Sequence, residues 1–297
     1  MGRWMNLVSV ADIRSVLAAH GMRPKKRLGQ NFLVDRNVLN RLVDAAGIEA
    51  GSQVLEIGPG LGVVTRELAV RGARVVCVDA DPDMQSILNE YSADAGEVEI
   101  VIRDILKVDL PGFLKERGDG PWTVVGNLPY YITSPILTKL IDDKRAWRRA
   151  VVTVQREVAD RLRAEPGTKE YGSLTVFVQY HCQIFSVMRV SRNVFYPVPD
   201  VDSEIIALDV RDKPVAEVLS EDTLFKVVRA SFGMRRKTLL NALGNSSELG
   251  WGKDRASEVL SIVGISEGRR GETLGIDEFA AISNAAQDVI SITSRRT

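Results

Sequence analysis

Short apolar runs rich in β-branched residues recur through the first half of the chain, at 53–57, 73–78, 98–102, 123–125 and 151–154. Between them lie segments whose apolar residues fall at helical spacing, among them 64–70, closed by Arg71-Gly72, and the stretch that Asp81-Pro82 opens and that runs to about Tyr91. Strands without a polar face must be covered on both sides. Right-handed βαβ crossovers achieve this by placing helices on both faces of a parallel sheet. The sequence therefore implies an α/β chain with a doubly wound parallel sheet. Ligands of such sheets bind outside the carboxyl ends of the strands, so the residues after each run carry the functional information.

The first run is followed by Gly58-Pro59-Gly60-Leu61-Gly62, the second by Asp79, the third by Asp104 and the fourth by Asn127-Leu128-Pro129-Tyr130. Glycines at a strand-to-helix turn let the backbone approach a ligand closely at a helix N-terminus. Asp79 stands where a carboxylate can take both hydroxyls of a ribose, and Asp104 where one can accept from an adenine amine. A dinucleotide fingerprint would put Gly or Ala at position 63, but the chain has Val63 and its third glycine comes one residue early, at Gly62. At the fourth end, the Asn127 side-chain oxygen and the Leu128 carbonyl can both accept from one exocyclic NH2. Pro129 has no N–H and a fixed φ. Tyr130 offers a face for base stacking, worth about 1–3 kcal/mol. The same residue types also make ordinary turns; their company of glycines and strand-end acids argues for a ligand.

Ahead of the sheet, Ser9 reads as the cap of a helix ending near Gly21, and Asp35 as the cap of a second helix with Val38, Leu39, Leu42 and Val43 on one face and Gly47 as its stop. Strands are expected at 184–190 and 204–209, joined through Phe195-Tyr196-Pro197-Val198-Pro199 and pairing antiparallel at one end of the sheet. Beyond residue 210 the strand signal stops, and helices are expected at 223–230, 235–243, 254–263 and 277–290. Two domains follow: 1–210, with a basic N-terminal extension over 1–35, and a smaller all-helical domain over 211–297.

The 297 residues carry 39 basic and 39 acidic side chains, so the chain is not a wholesale polyanion binder. The basic residues nevertheless cluster: Arg23, Lys25, Lys26 and Arg27; seven within 144–163; and Arg235, Arg236 and Lys237. Three clusters beside a base-gripping turn point to a nucleic-acid footprint, although each can also be a solvated face. The two cysteines, Cys77 and Cys182, lack metal or redox spacing and read as buried packing residues in a reducing compartment. With only His20 and His181 besides, no metal site is expected. No apolar run approaches the ~18 residues of a membrane span, and no signal-peptide core is present at the N-terminus. A cytoplasmic monomer is the expectation.

Together these motifs resemble the S-adenosylmethionine-dependent ribosomal RNA adenine dimethyltransferases, which convert two adjacent adenosines near the 3′ end of small-subunit rRNA to dimethyladenosines. The similarity covers nearly the whole chain. It is carried by Leu28-Gly29-Gln30-Asn31-Phe32-Leu33, by Glu56-Ile57-Gly58-Pro59-Gly60-Leu61-Gly62, by Asn127-Leu128-Pro129-Tyr130, by Glu165-Pro166-Gly167 through Tyr171-Gly172, by Phe195 with Pro197 and Pro199, by Val201-Asp202-Ser203, and by Phe232 through Leu240. The resemblance implies a Rossmann-like methyltransferase domain in which Asn31 and Leu33 help close over S-adenosylmethionine. Gly58, Gly60 and their neighbours would hold its methionine end, Asp79 its ribose and Asp104 its adenine, with Asn127 beside them. Asn127, Leu128, Pro129 and Tyr130 would form the catalytic turn, and Phe195 would stack on the second face of the target base. Lys25, Lys26, Arg27, Arg235, Arg236, Lys237 and the helical domain would grip small-subunit rRNA within a pre-ribosomal particle. The family more often has Glu at the position of Asp79. Two other readings stay open: a large-subunit rRNA methyltransferase of the macrolide-resistance type, and an assembly factor acting mainly by binding rRNA. DNA adenine methyltransferases, which tend to carry Pro at the position of Leu128, fit less well.

Overall fold

The computed structural model of the chain describes residues 7–234 and 236–294. They form two compact units, the first running to Ala159 and resuming over Gln183–Val210, the second taking Asp160–Cys182 and the residues from Arg211 onward. The first unit opens with α1 (Val10–Ala19), a 3-10 turn (Lys26–Leu28), β1 (Phe32–Leu33) and α2 (Arg36–Ala46). There follow β2 (Gln53–Ile57), α3 (Val63–Val70), β3 (Arg74–Asp79), α4 (Met84–Ser92), β4 (Val98–Ile102), α5 (Leu110–Lys115), β5 (Trp122–Asn127), α6 (Thr133–Asp142) and β6 (Trp147–Gln155). α7 (Arg156–Leu162) and α8 (Ser173–His181) come next, then β7 (Cys182–Val190), β8 (Phe195–Tyr196) and β9 (Ser203–Val210).

Seven strands form one sheet in the order β4-β3-β2-β5-β6-β9-β7. β4 to β6 run parallel, with Val54 opposite both Val75 and Thr123. β9 reverses beside β6, pairing Arg149 with Asp209 and Gln155 with Ser203. β1 and β8 make a separate antiparallel pair, Phe32 opposite Tyr196 and Leu33 opposite Phe195. The chain builds outward from β2 to β4 on one side and then returns to add β5 on the other. The strand order therefore reverses between β2 and β5, where an open α/β sheet offers its crevice.

The central strands are buried on both faces, as their unbroken apolar runs require: Val54, Leu55, Val75, Val76, Val124, Val125, Val151 and Val152 are shut off from solvent. Leu39, Leu42 and Val43 of α2 and Leu68 of α3 pack with Val54, Val75, Cys77, Val125 and Val151. A second cluster joins Ile13, Val16 and Leu17 of α1 to Phe32, Leu61 and the Met84, Ile87 and Leu88 stripe of α4. Each fully buried side chain of this size contributes about 1.5–3 kcal/mol. The Asp35 carboxylate caps α2 by accepting from the N–H groups of Asn37 (2.8 Å) and Val38 (3.0 Å). α4 starts at Met84, later than Asp81-Pro82 suggested, because residues 81–85 form a turn first: the Asp81 carboxylate accepts from the Asp83 N–H at 3.2 Å, and the Met84 and Gln85 N–H groups donate to the Asp81 and Pro82 carbonyls.

In the second unit, α8 packs with α9 (Glu221–Gly233), α10 (Leu239–Gly244), α11 (Gly252–Ile262) and α12 (Ile276–Ser294). Its centre is aromatic. Phe225 lies edge-on to Phe177 and Tyr180, with ring centroids 4.9 and 5.5 Å away, and His181 completes the group 4.8 Å from Tyr180. The Tyr171 hydroxyl donates to the Leu274 carbonyl at 2.9 Å, and burial pushes its pKa up to about 12. Residues 160–182 thus group with the helices beyond 210, a grouping that the sequence boundary at 210 leaves out, because Tyr171, Val176 and Tyr180 bury against Leu224 and Phe279. The helix expected over 235–243 starts only at Leu239, and Lys237 lies in a turn in which its N–H donates to the Met234 carbonyl at 2.8 Å.

A Cβ added at Gly126 would lie 2.6 Å from the Ile57 carbonyl oxygen and 3.2 Å from Leu128 Cδ2. The first of these atoms is backbone and can yield only by parting β2 from β5. Gly126→Ala is therefore expected to destabilise the chain by about 1–3 kcal/mol, read as a lower urea midpoint. An unchanged midpoint would show slack between these strands. Asp35→Ala, which removes a two-donor cap, should cost about 1 kcal/mol in the same measurement.

Candidate active site

The ends of β2, β3, β4 and β5 converge on a cleft of about 700 Å³. The Gly58 N–H donates to the Val78 carbonyl at 2.9 Å, which carries the chain out of β2 across β3. Gly60 has φ +57°, and a Cβ there would meet the Phe32 ring at 3.2 Å, so the turn passes directly beneath β1. The cleft brings together Asn31, Gly58, Gly60, Asp79, Asp104 and Asn127, over a floor that includes Ile57, Val78 and Ile105. Leu33 is not on this wall. It is buried and lines an adjoining cavity of about 510 Å³, which shares Asn31, Gly58, Gly60 and Asn127 with the cleft and adds Glu56, Thr153 and Phe195.

Two carboxylates face the cleft in different states. Burial pushes Asp79 up to about 6, opposed by hydrogen bonds from the backbone N–H groups of Asp81, at 2.8 Å, and Gly60. Asp104 caps the 3-10 turn Ile105–Lys107, accepting from the Leu106 N–H at 3.0 Å through Oδ1, and is more open to solvent. Behind the glycine turn lies a third acid that the sequence reading passed over as a strand residue. Glu56 is 2% exposed, accepts from the Thr65 hydroxyl at 2.6 Å and lies 3.5 Å from Cys77 Sγ. Burial pushes its carboxyl up to about 7.

Asn127 ends β5 with its amide fixed from one side only. Nδ2 donates to the Asn31 carbonyl at 2.9 Å, while Oδ1 is buried without a hydrogen-bond partner among the described residues. Leaving a buried acceptor unsatisfied costs about 1–3 kcal/mol, and this one stands where the cleft and the second cavity meet. Leu128 is buried and its N–H donates to the Thr153 carbonyl of β6 at 3.1 Å. The Pro129 carbonyl accepts from the Ile132 N–H at 3.2 Å and the Thr133 hydroxyl at 3.0 Å, which turns the chain into α6. The tyrosines differ from the sequence expectation. Tyr130 is held by its hydroxyl, 2.5 Å from Ser203 Oγ on β9, and burial keeps its pKa above the ordinary range. Tyr131, 57% exposed, is the one that lines the cleft. Phe195, expected as an open stacking face, is 2% exposed and packed in the core, and it meets the site only through the wall of the second cavity.

The basic clusters divide. Lys25 is committed: Nζ donates to Asp81 Oδ1 at 2.6 Å and to Asp83 Oδ2 at 2.5 Å, which removes it from the set of cations open to RNA. Lys26 and Arg27 beside it are exposed and have no carboxylate partner among the described residues. Arg236 and Lys237 are exposed in the turn before α10, and Arg235 lies outside the described residues. Segment 144–163 is not one free patch, since Arg149 pairs with Asp209 at 3.0 Å and Arg163 with Asp160 at 3.3 Å. Among the described residues, no group of three or more His, Cys, Asp or Glu could hold a metal ion. None of their helices is long and apolar enough to cross a membrane.

An S-adenosyl group fits these residues by the chemistry of the donor set. Glycine backbone, the Asp79 and Asp104 carboxylates and Asn127, with its orphaned oxygen, line one cleft. Comparison with known proteins agrees. The family model described as ribosomal RNA adenine dimethylase matches residues 21–288. Proteins named ribosomal RNA small subunit methyltransferase A from Bacillus cereus (strain B4264) and Bacillus anthracis (strain A0248) are each 49% identical over 276 residues, covering 92% of this chain and 94% of the relative. Among solved structures, a dimethyladenosine transferase from Plasmodium falciparum superposes with a TM-score of 0.71 at 26% identity, covering 84% of this chain and 95% of that one. The 23S rRNA methyltransferase ErmE gives 0.65 at 27% identity, covering 86% and 100%. With a match of this extent over the residues that build the cleft, the chain belongs to the ribosomal RNA adenine dimethylase family.

Proposed function

We propose that the chain transfers methyl groups from S-adenosylmethionine to the exocyclic N6 of two adjacent adenosines near the 3′ end of small-subunit rRNA, giving dimethyladenosines. The names of its relatives support the small subunit over the large. The observation that carries the chemistry is the Asn127 Oδ1, buried, unpartnered and aimed by the Asn31 carbonyl on the other side of the same amide. The substrate would be a pre-ribosomal small subunit, met in the cytoplasm by a monomer. Lys26, Arg27, Arg236, Lys237 and the helical unit would contribute to the grip on rRNA, together with Arg235.

When bound, S-adenosylmethionine supplies an electrophilic methyl group on a sulfonium. Asn31, Gly58, Gly60, Asp79 and Asp104 would hold it, with Leu33 backing Asn31 from the second cavity. The adenine amine is a poor nucleophile because its lone pair is delocalised into the ring. Asn127 Oδ1 and the Leu128 carbonyl take its hydrogens and so favour a pyramidal nitrogen with a localised lone pair. Pro129 offers no competing donor. The target must leave its stack, at a cost of a few kcal/mol, and Tyr130 and Tyr131 are the aromatic groups of this turn that can receive it. The methylated amine then loses its proton to solvent, so the residues of the site act by binding and positioning.

The direct test is transfer of labelled methyl to unmethylated small subunits, beside large subunits and duplex DNA, with the product nucleoside identified. Dimethyladenosine confined to small-subunit RNA is expected. Label in large-subunit RNA would move the chain to the resistance class, and tight binding without label would make it an assembly factor. Asn127→Ala should lower turnover at least about 100-fold, the scale of one lost transition-state hydrogen bond, with small subunits still bound. Normal turnover in that variant would refute the role given to Asn127. Ribose hydroxyls donate to an ionised Asp79, whose pKa of about 6 places its protonation just below neutrality. Donor affinity should therefore fall as pH drops below 6, by about tenfold per unit once the proton competes fully. Asp79→Asn should flatten this limb and leave any contribution of Glu56 exposed.

A further inference from the structure

The segment between α1 and β1 has little regular structure to hold it, only the 3-10 turn Lys26–Leu28 and the two residues of β1. Yet it supplies the Asn31 carbonyl that takes Asn127 Nδ2 and so decides which way the Asn127 oxygen faces. Its anchor is the loop after β3, where Lys25 Nζ meets Asp83 Oδ2 at the exposed rim and, beneath it, a buried carboxylate two residues past Asp79. Asp81 is 1% exposed; its Oδ1 accepts from Lys25 Nζ at 2.6 Å and its Oδ2 from Gln30 Nε2 at 2.8 Å. Gln30 closes the ring by accepting the Lys25 N–H at 2.9 Å through Oε1. The Asp81 N–H in turn donates to Asp79 Oδ1 at 2.8 Å.

We infer that Asp81, with Lys25 and Gln30, is a latch that positions the active site: it ties the 25–31 strap to the loop after β3, so that the ribose-binding carboxylate Asp79 and the amine acceptor Asn127 are set by one connected network. The inference rests on the function proposed above, within which it adds residues that touch neither donor chemistry nor target base through Asp81 and Lys25. The chemistry of the latch is specific. A carboxylate this buried is retained only when both oxygens are matched, and here one meets a cation and the other an amide. The strap crosses the cleft with Gln30 and Asn31 on its wall. Any ligand that engages Asp79 and packs under the strap therefore favours the latched arrangement, and by linkage the latch favours the ligand by the same factor. Lys25 acts here as a structural counter-ion, and Lys26 and Arg27 are left facing outward.

The test uses the full chain, with S-adenosylhomocysteine as the probe. Asp81→Asn keeps shape but removes the charge, Lys25→Met removes the cation, and Gln30→Ala removes one bond from a half-buried site and guards against a variant that fails to fold. In the unaltered chain, S-adenosylhomocysteine should slow tryptic cleavage after Lys26 and Arg27. In Asp81→Asn its affinity should fall about tenfold, within the 5–150-fold span of ordinary coupling energies, and the protection of the strap should be lost. Turnover at saturating donor should fall as well, since Asn127 loses its orienting carbonyl. Gln30→Ala should show the same pattern more weakly, and Asp81→Asn with Gln30→Ala should be no worse than Asp81→Asn alone, because both cut one network.

Unchanged affinity and strap protection in Asp81→Asn would overturn the latch. So would a loss confined to the unfolding midpoint, or simple additivity of the two changes. The affinity and cleavage readouts need no RNA, so they stand even if methyl transfer is found on a different substrate. Conversely, dimethyladenosine formed at the unaltered rate by a folded Asp81→Asn chain would sink the latch and leave the proposed function intact.

Discussion

The reversal of strand order between β2 and β5 is the constraint on which the site depends. It brings the two strand ends together with no helix between them, and Gly126 lets β5 approach the Ile57 carbonyl closer than any side chain would allow. The glycine turn after β2 and the Asn127 turn after β5 are consequently neighbours, although about seventy residues separate them in the chain. Each turn is then fixed by a different strand. Gly58 is tied to Val78 of β3, and Leu128 to Thr153 of β6. Sheet hydrogen bonds thus set the spacing of the groups, and the loops need only supply their chemistry.

Three carboxylates stand around this junction, Glu56 and Asp81 buried and Asp79 half-buried, and each is made tolerable in its own way. Glu56 has a hydroxyl and a thiol, Asp79 has backbone N–H groups, and Asp81 has a lysine and an amide. The consequences differ as the partners do. A hydroxyl and a thiol offset desolvation incompletely, so Glu56 rises to about 7. Asp79, with N–H partners, rises to about 6. Asp81 has a full counter-charge and serves as an anchor. The three acids thus sit in different electrostatic settings because burial is offset by groups of different kinds.

What the sequence made legible were features set by neighbours in the chain. The strand runs, the Asp35 cap and the glycine turn each follow from residues within a few positions of one another, and the strand-end rule converts them into one wall holding Gly58, Gly60, Asp79, Asp104 and Asn127, to which only the family resemblance added Asn31. Features set across long separations were not legible. Lys25 reads as a free cation until Asp81, 56 residues away, is seen to hold it. Nothing near Tyr130 in the chain tells that Ser203, 73 residues on, holds its hydroxyl, or that Tyr131 lines the cleft. Phe195 sits beside prolines that suggest a surface loop, but its strand pairs with β1 and draws it into the core. Residues 160–182 precede the last strands in the chain, and the burial of Tyr171 and Tyr180 among the later helices is what assigns them to the second unit.

The use of both ends of the Asn127 amide explains why this position takes Asn. An aspartate offers the same acceptor to an amine, but it has no donor for the Asn31 carbonyl and would set a carboxylate oxygen against it. A leucine would fill the space and accept nothing. Only a primary amide can donate to the strap with one atom and accept from the substrate with the other, and asparagine places it at the very end of β5 with little side-chain freedom to lose. The orphaned oxygen is then a standing cost to the folded chain. A group that donates a hydrogen into that junction relieves it, which makes an exocyclic amine a better occupant than a carbonyl. Under the proposed function, selectivity against bases that lack an amine would begin in that one unsatisfied atom.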